Sequence, residues 1–349
     1  LEATFLGVML FGIRRVPGWL HTLSTLVVAI GTTVSAFWII SLNSWMHTPQ
    51  GHEMVDGVLY AKDWSAIIFN PSFPYRLTHM LLASGLTASF LIAGLSAYRI
   101  FKGDDKIAPK IALKTATYTA AVLIPLQIFA GDLHGLNTLE HQPQKIAAME
   151  GVWETDTQVP LVLFAVPDED NRTNHFEVSI PRLASLILTH SPDGEIKGLN
   201  EFKGEHPPVK PVFFAFRVMV GMGMLMLFCA WAGSFFLYRR NQLPGWLTRI
   251  FIAMSFSGWI ATLAGWYVTE VGRQPYLIYG VMKTAQAVTA LPAGNVWFSF
   301  LMYAGVYSIL LVAYMSTLTL MCRRSIEIEE ISSEEREKAR AARVSPTGA

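Results

Sequence analysis

The chain has little cysteine and little charge. Only Cys229 and Cys322 occur in 349 residues, and neither belongs to a CxxC or CxxCH pattern, which excludes covalently attached c-type haem and cysteine-held iron–sulfur clusters. No Walker loop, GxGxxG or hydrolase elbow is present, so nucleotide chemistry has no support, and no nucleic-acid partner is expected at a net charge of +1. Only 15% of residues are charged, against 52% hydrophobic. A soluble protein of this length needs more polar surface than that.

The apolar residues come in blocks. Six are long enough to cross a bilayer core of about 30 Å, which takes about 20 helical residues: Leu20–Leu42, Leu77–Phe101, Ile111–Ala130, Val212–Tyr238, Leu247–Val268 and Val296–Met321. Barrel-type alternation is absent, so an all-α polytopic transmembrane bundle is expected. A seventh block, Leu1–Ile13, is about half the required length and reads as a partial N-terminal span of a longer protein. The chain thus divides into 1–130 (the partial span and three full ones), a polar loop 131–211, three spans over 212–322, and a charged tail 323–349. That tail is expected as a solvated helix or a disordered end.

Basic residues in the short connections set the orientation. Connections 13–19, 99–114, 239–249 and the start of the tail carry twelve Lys or Arg, whereas 43–76 and 269–295 carry four: Lys62, Arg76, Arg273 and Lys283. The first set is therefore cytoplasmic and the 131–211 loop faces outward, as in a multi-pass protein of a bacterial inner membrane.

Ionisable and ligating groups inside spans are costly and need a reason. His79, Met219 and Glu270 fall near the same membrane face, and imidazole, thioether and carboxylate are all ligand types for haem iron. Each has a plainer reading. His79 could be an interfacial hydrogen bonder, Met219 a gap-filler among Met222, Met224 and Met226, and Glu270 an ion-pair partner of Arg273 three residues on. Arg217 suits haem propionates or a carboxylate, or else forms a structural salt bridge. The span histidines are too few for a copper centre beside a haem, which disfavours a haem–copper oxidase. His134, His141, His175, His190 and His206 read mostly as surface residues, with His141 near Lys145. The stretch PLVLFAVPDEDNRTNHFEVSIPRLASLILTHS suggests a small hairpin or amphipathic piece near the membrane surface.

In order along the chain, LEATFLGVMLFG, SAFWIISLNSWMHTPQG, THMLLASG, QKIAAMEGVWET, FRVMVGMG and GWYVTEVGRQPY resemble subunit I of cytochrome bd quinol oxidase in its short-loop, cyanide-insensitive-oxidase-like form. The resemblance implies a quinol:oxygen oxidoreductase that oxidises quinol at the outer face. It makes His79 and Met219 the axial ligands of a low-spin haem b and Glu270 a ligand of a high-spin haem b, with Trp266 packed nearby. The third haem would be d-type or b-type. Lys145 and Glu150 match loop residues associated with quinol oxidation, hence the name Q-loop. Glu2, Ser35 and Asn43 match a proton route, which requires that they face one another or a water file; otherwise Ser35 and Asn43 are ordinary interhelical hydrogen bonders, the commoner case in spans. Arg217 and Arg273 match positions near haem propionates. Implied partners are membrane lipid, quinol, oxygen, a homologous second subunit and a small accessory subunit. The family has nine spans, so this chain is read as the C-terminal seven-helix portion, without the histidine expected to ligate haem d. The family's GRQPW reads GRQPY here, with Tyr276 in place of tryptophan. The competing account is a non-oxidase membrane b-type cytochrome passing electrons between quinone and another carrier.

Overall fold

In the computed structural model, the described residues are 2–12 and 15–344, with side chains described through residue 320 apart from that of Glu2. The chain forms α1 (Glu2–Phe11), α2 (Gly18–Trp45), a hairpin of β1 (His52–Val55) and β2 (Val58–Ala61), α3 (Trp64–Ile68), α4 (Phe73–Phe101), α5 (Ile107–His141) and α6 (Pro143–Glu150). There follow the hairpin β3 (Leu161–Asp168) and β4 (Thr173–Ile180), α7 (Leu183–Thr189), α8 (Val209–Arg240), α9 (Gly245–Ala253) and α10 (Ser257–Val271). A short hairpin, β5 (Tyr276–Ile278) with β6 (Met282–Lys283), precedes α11 (Ala293–Val344). Among the described residues six helical segments are long and apolar enough to cross a membrane, counting Gly245–Val271 as one. Residues 1–287 form one compact unit and 288–349 another. In the second unit α11 carries its apolar half, Ala293–Leu320, and the charged residues up to Val344 on one continuous helical backbone.

Within the first unit, α4 packs against α5, α9 and α10, and α8 packs against α10 and α5. One end of this bundle is held by close apolar packing. Leu86, Phe90, Ala93 and Ala97 of α4 meet Ala116, Ala120 and Ile124 of α5, Met226 and Ala230 of α8, and Phe251 of α9. The small residues are needed because helices in lipid gain from close backbone approach rather than from excluding water. A Cβ on Gly94 would stand 2.8 Å from the Phe251 carbonyl oxygen, and one on Gly233 would stand 2.7 Å from the Phe251 ring.

Two local features depart from the uniform rods expected from sequence. The segment expected as continuous over Leu247–Val268 has a 3₁₀ turn at Met254–Phe256, where Ser255 Oγ donates to the Ile252 carbonyl at 2.7 Å. A side chain bonding back into the helical ladder is an identifiable cause of such a bend. In α5, Pro125 removes the N–H that would bond to the Ala121 carbonyl. Trp231 of α8 supplies the missing donor, its indole Nε1 lying 3.1 Å from Ala121 O. Moreover, α5 runs beyond the expected end at Ala130 to His141, carrying Asp132, His134 and Asn137 as part of the helix.

The candidate haem and quinol site

The polar groups gather at the other end of the bundle, where α2 ends, α4 begins and α5 runs into α6. Glu270, on the last turn of α10, accepts from Asn43 Nδ2 at 2.8 Å and from Arg273 Nη2 at 2.5 Å. The ion pair with Arg273 foreseen as the plainer reading is therefore present, as one arm of a larger network. Asn43 Oδ1 in turn accepts from Arg76 Nη2 at 2.6 Å. His47, just past the end of α2, is buried between Arg273 Nη1 at 3.4 Å from its Nε2, Lys145 Nζ at 3.1 Å from its Nδ1 and Gln142 Oε1 at 3.3 Å from the same atom. The neutral tautomer with its proton on Nδ1 fits this arrangement, because Nε2 then accepts from Arg273 while Nδ1–H faces Gln142 and the lysine nitrogen. Burial, reinforced by Arg76, Lys145 and Arg273, holds His47 well below its ordinary range. Lys145 is likewise pushed well below the usual lysine range, first by burial and then by Arg76 and Arg273. Glu270 keeps 37% of its side chain accessible, so the carboxylate is anchored on one side and open on the other.

A second pairing sits on the same short helix. Lys145 and Glu150 both belong to α6, which packs against α8 and ends at Gly151 in the left-handed conformation. Gly151 is required there on two counts: its φ is +71°, and a Cβ would stand 3.0 Å from the Phe213 ring. Arg217 of α8 reaches Glu150 at 3.4 Å, donates to the Val162 carbonyl through Nη2 at 2.6 Å, and bonds the Met149 carbonyl. Its guanidinium carbon lies 3.4 Å from the centroid of Phe213. Arg217 thus has the Glu150 carboxylate within reach. Burial raises the Glu150 carboxyl above its usual range against the pull of Arg217.

His79 is half-buried on α4 and faces α5. Gln127 Nε2 lies 3.1 Å from His79 Nε2 and 3.3 Å from Nδ1, and the His134 ring stands 5.6 Å away, centroid to centroid. His134, expected at the surface, is thus a half-buried neighbour of the candidate ligand. A Cβ on Gly131 would lie 3.3 Å from His79 Cε1, and one on Gly265 of α10 would lie 3.1 Å from Met219 Sδ. His79 and Met219 therefore each face a glycine of a neighbouring helix. Trp266 is half-buried one turn before Glu270. Ser35 lies apart from the Asn43 network, exposed in a groove that it shares with Ala3, Gly31 and Trp38. Glu2 lies outside the residues whose side chains are described.

The residues present fit haem on three observations. The candidate donors are an imidazole, a thioether and a carboxylate, the first two lying against glycines of neighbouring helices. Buried Gln127 Oε1 and Arg273 Nε have no partner among the described residues. Arg76 and Arg273 are each 7% exposed, yet only Arg273 pairs with the Glu270 carboxylate while Arg76 bonds the neutral Asn43 amide, so anionic groups such as propionates would complete the charge balance. Sequence reasoning missed His47, Gln142 and Gln127, and treated Arg76 only as a loop charge. A faint signal existed: Asn43 and His47 are four residues apart, and Gln127, Gly131 and His134 fall at helical spacing on one stripe.

A bundle of membrane-spanning helices with buried ionisable groups at one end defines an integral membrane protein of the redox or transport type. The comparisons narrow this. Residues 1–326 match the family described as cytochrome bd terminal oxidase subunit I, and the chain belongs to that family. It is 34% identical over 325 residues to the cytochrome bd ubiquinol oxidase subunit 1 of Bacillus subtilis, covering 89% of this chain and 69% of the relative. With the cytochrome bd-II ubiquinol oxidase subunit 1 of Escherichia coli it shares 28% identity, covering 90% and 74%. The structure of the bd oxidase from Geobacillus thermodenitrificans superposes with a TM-score of 0.82 at 33% identity, over 93% of this chain and 75% of that one.

Proposed function

We propose that the chain is the haem-bearing subunit of a bd-type terminal oxidase that takes electrons from quinol at the outer membrane face and delivers them to oxygen, forming water. His79 and Met219 would hold a low-spin haem b and Glu270 a high-spin haem b, with a third haem, d-type or b-type, completing the set. When bound, the haems would supply the one-electron redox chemistry. A second, homologous subunit is the expected partner.

The observation that carries this reading is the continuity from Lys145 through His47 to Arg273 and Glu270. The short helix α6 brings Lys145 to the Glu270 network and Glu150 to Arg217, two residues from Met219. Buried in this way, Lys145 and Glu150 are suited to orient a quinol headgroup and take up its protons. The residues 131–211 act as the outward Q-loop, so protons released there stay outside. Protons consumed in water formation would come from the cytoplasmic side, on a route to which Asn43, a hydrogen-bond donor to Glu270, is matched. Opposite proton sides separate charge without a pump, each charge being worth about 2.3 kcal/mol per 100 mV.

Quinol-driven oxygen uptake by the purified complex tests this. Lys145→Met and Glu150→Gln should each lower uptake by about tenfold or more while haem content stays at the level of the unaltered protein. Unchanged uptake, or haem loss in step with uptake, would show that the loop has only a structural part.

A further inference from the structure

The hairpin of β3 and β4 is tied to α8 at two heights. At its turn, Glu169 Oε1 accepts from the backbone N–H groups of Val209 and Lys210, the first residues of α8, at 3.0 and 3.4 Å. Near its other end, the Val162 carbonyl accepts from Arg217, eight residues further along that helix. At 1.5 Å per residue this second tie lies about 12 Å farther along the α8 axis. The hairpin therefore runs down beside a membrane-spanning helix. It does not lie across the helix end.

Its composition changes along the same direction. The turn carries Asp168, Glu169, Asp170 and Arg172, while the opposite end pairs Leu161 with Ile180 and Phe164 with Val178. One face is used up inside the protein: Val162 and Ala165 pack with Phe213 of α8. The other face presents Phe164 and Val178, both more than half exposed, level with the turns of α8 whose Phe214 and Val218 also point outward. A strand pair with a charged end at the helix start and an apolar outward face deeper down matches the polarity gradient of a bilayer surface.

We infer that this hairpin is an interfacial anchor whose outward face, centred on Phe164 and Val178, sits in the headgroup and upper acyl region of the lipid bilayer. The lipid-facing surface of α8 continues directly onto it. Arg217 makes the placement tolerable by satisfying the Val162 carbonyl, a backbone group that water would otherwise have to reach. The anchor fixes the height of the loop, and Asn174 of β4 passes that height to α6 by bonding the Gly151 carbonyl at 2.9 Å and accepting from Trp153 Nε1 at 3.0 Å.

The test uses the intact complex in lipid nanodiscs, with Cys229 and Cys322 replaced by serine and single cysteines labelled with an environment-sensitive fluorophore. Labels on Phe164→Cys and Val178→Cys should be quenched by nitroxide lipids carrying the quencher near the headgroup. They should also be at least about threefold less sensitive to aqueous iodide than a label on Asp170→Cys at the turn. Two positions guard against one variant failing to assemble. Iodide sensitivity equal to that at Asp170 would overturn the proposal. So would protection from iodide with no response to nitroxide lipid, which would assign the face to a protein partner.

Discussion

The two ends of the bundle solve opposite problems. At one end, alanines and glycines let α4, α5, α8 and α9 approach closely around Phe90 and Phe251, whose rings stack at 6.2 Å. At the other end His47, Arg76, Lys145, Glu150 and Arg273 are all buried, each less than one-tenth exposed. Burying ions costs several kcal/mol apiece before any pairing offsets it, so the polar end is held only if the apolar end and the pairings carry it. The contrast teaches a separation of tasks: packing at one end fixes the helices, and chemistry at the other uses the positions so fixed.

Breaking the polar end should cost most. Arg217→Met strands the Glu150 carboxylate and two backbone carbonyls in the interior, and should destabilise the solubilised protein by about 3–5 kcal/mol. Thermal unfolding reads this directly, and Arg217→Lys should recover only part of it because a lysine cannot reproduce the fork of donors. A shift no larger than that of an exposed substitution such as Lys203→Met would show that Arg217 is not structural. At the apolar end, Phe251→Ala removes the buried ring that faces Gly233 and stacks on Phe90, and should cost about 3 kcal/mol. The comparison is sharpened if this variant, measured below its unfolding temperature, keeps the KM for quinol unchanged. A raised KM would mean the two ends are not separate.

The smallest effect concerns the hairpin turn, where Asp168 is held below its ordinary value near 3.8, chiefly by the Asn171 amide and then by His175. A depressed carboxylate contributes stability that is present above the unfolded value and lost as the pH falls through the folded one. Amide exchange at residues 168–173 should therefore rise only below about pH 3.8, and Asp168→Asn should remove that step. A rise beginning near neutrality would point to another group.

How much could be read beforehand follows the same division. The six spans were legible because hydropathy responds to long apolar runs, and the hairpin within 131–211 because apolar runs flank the polar turn Asp168–Asn171. The end of α5 was not legible: Asp132, His134 and Asn137 look like loop composition, yet Asn137 and His134 turn toward protein and let the helix run on to His141. Of the candidate site, Asn43, Lys145, Glu270 and Arg273 converge as a group. His47 and Gln142 escaped notice because their importance comes from a meeting of α2 with α6 across 95 residues of chain, which local spacing does not encode. Arg76 lies at a span end, where a basic residue is usually an interfacial anchor.

The central claim is that His79 and Met219 hold one low-spin haem. The most direct measurement is the reduced-minus-oxidised optical spectrum of the purified, assembled complex carrying His79→Ala or Met219→Leu. The account predicts that either substitution removes the low-spin b signal and leaves the high-spin signal in place; a spectrum indistinguishable from that of the unaltered complex would contradict it.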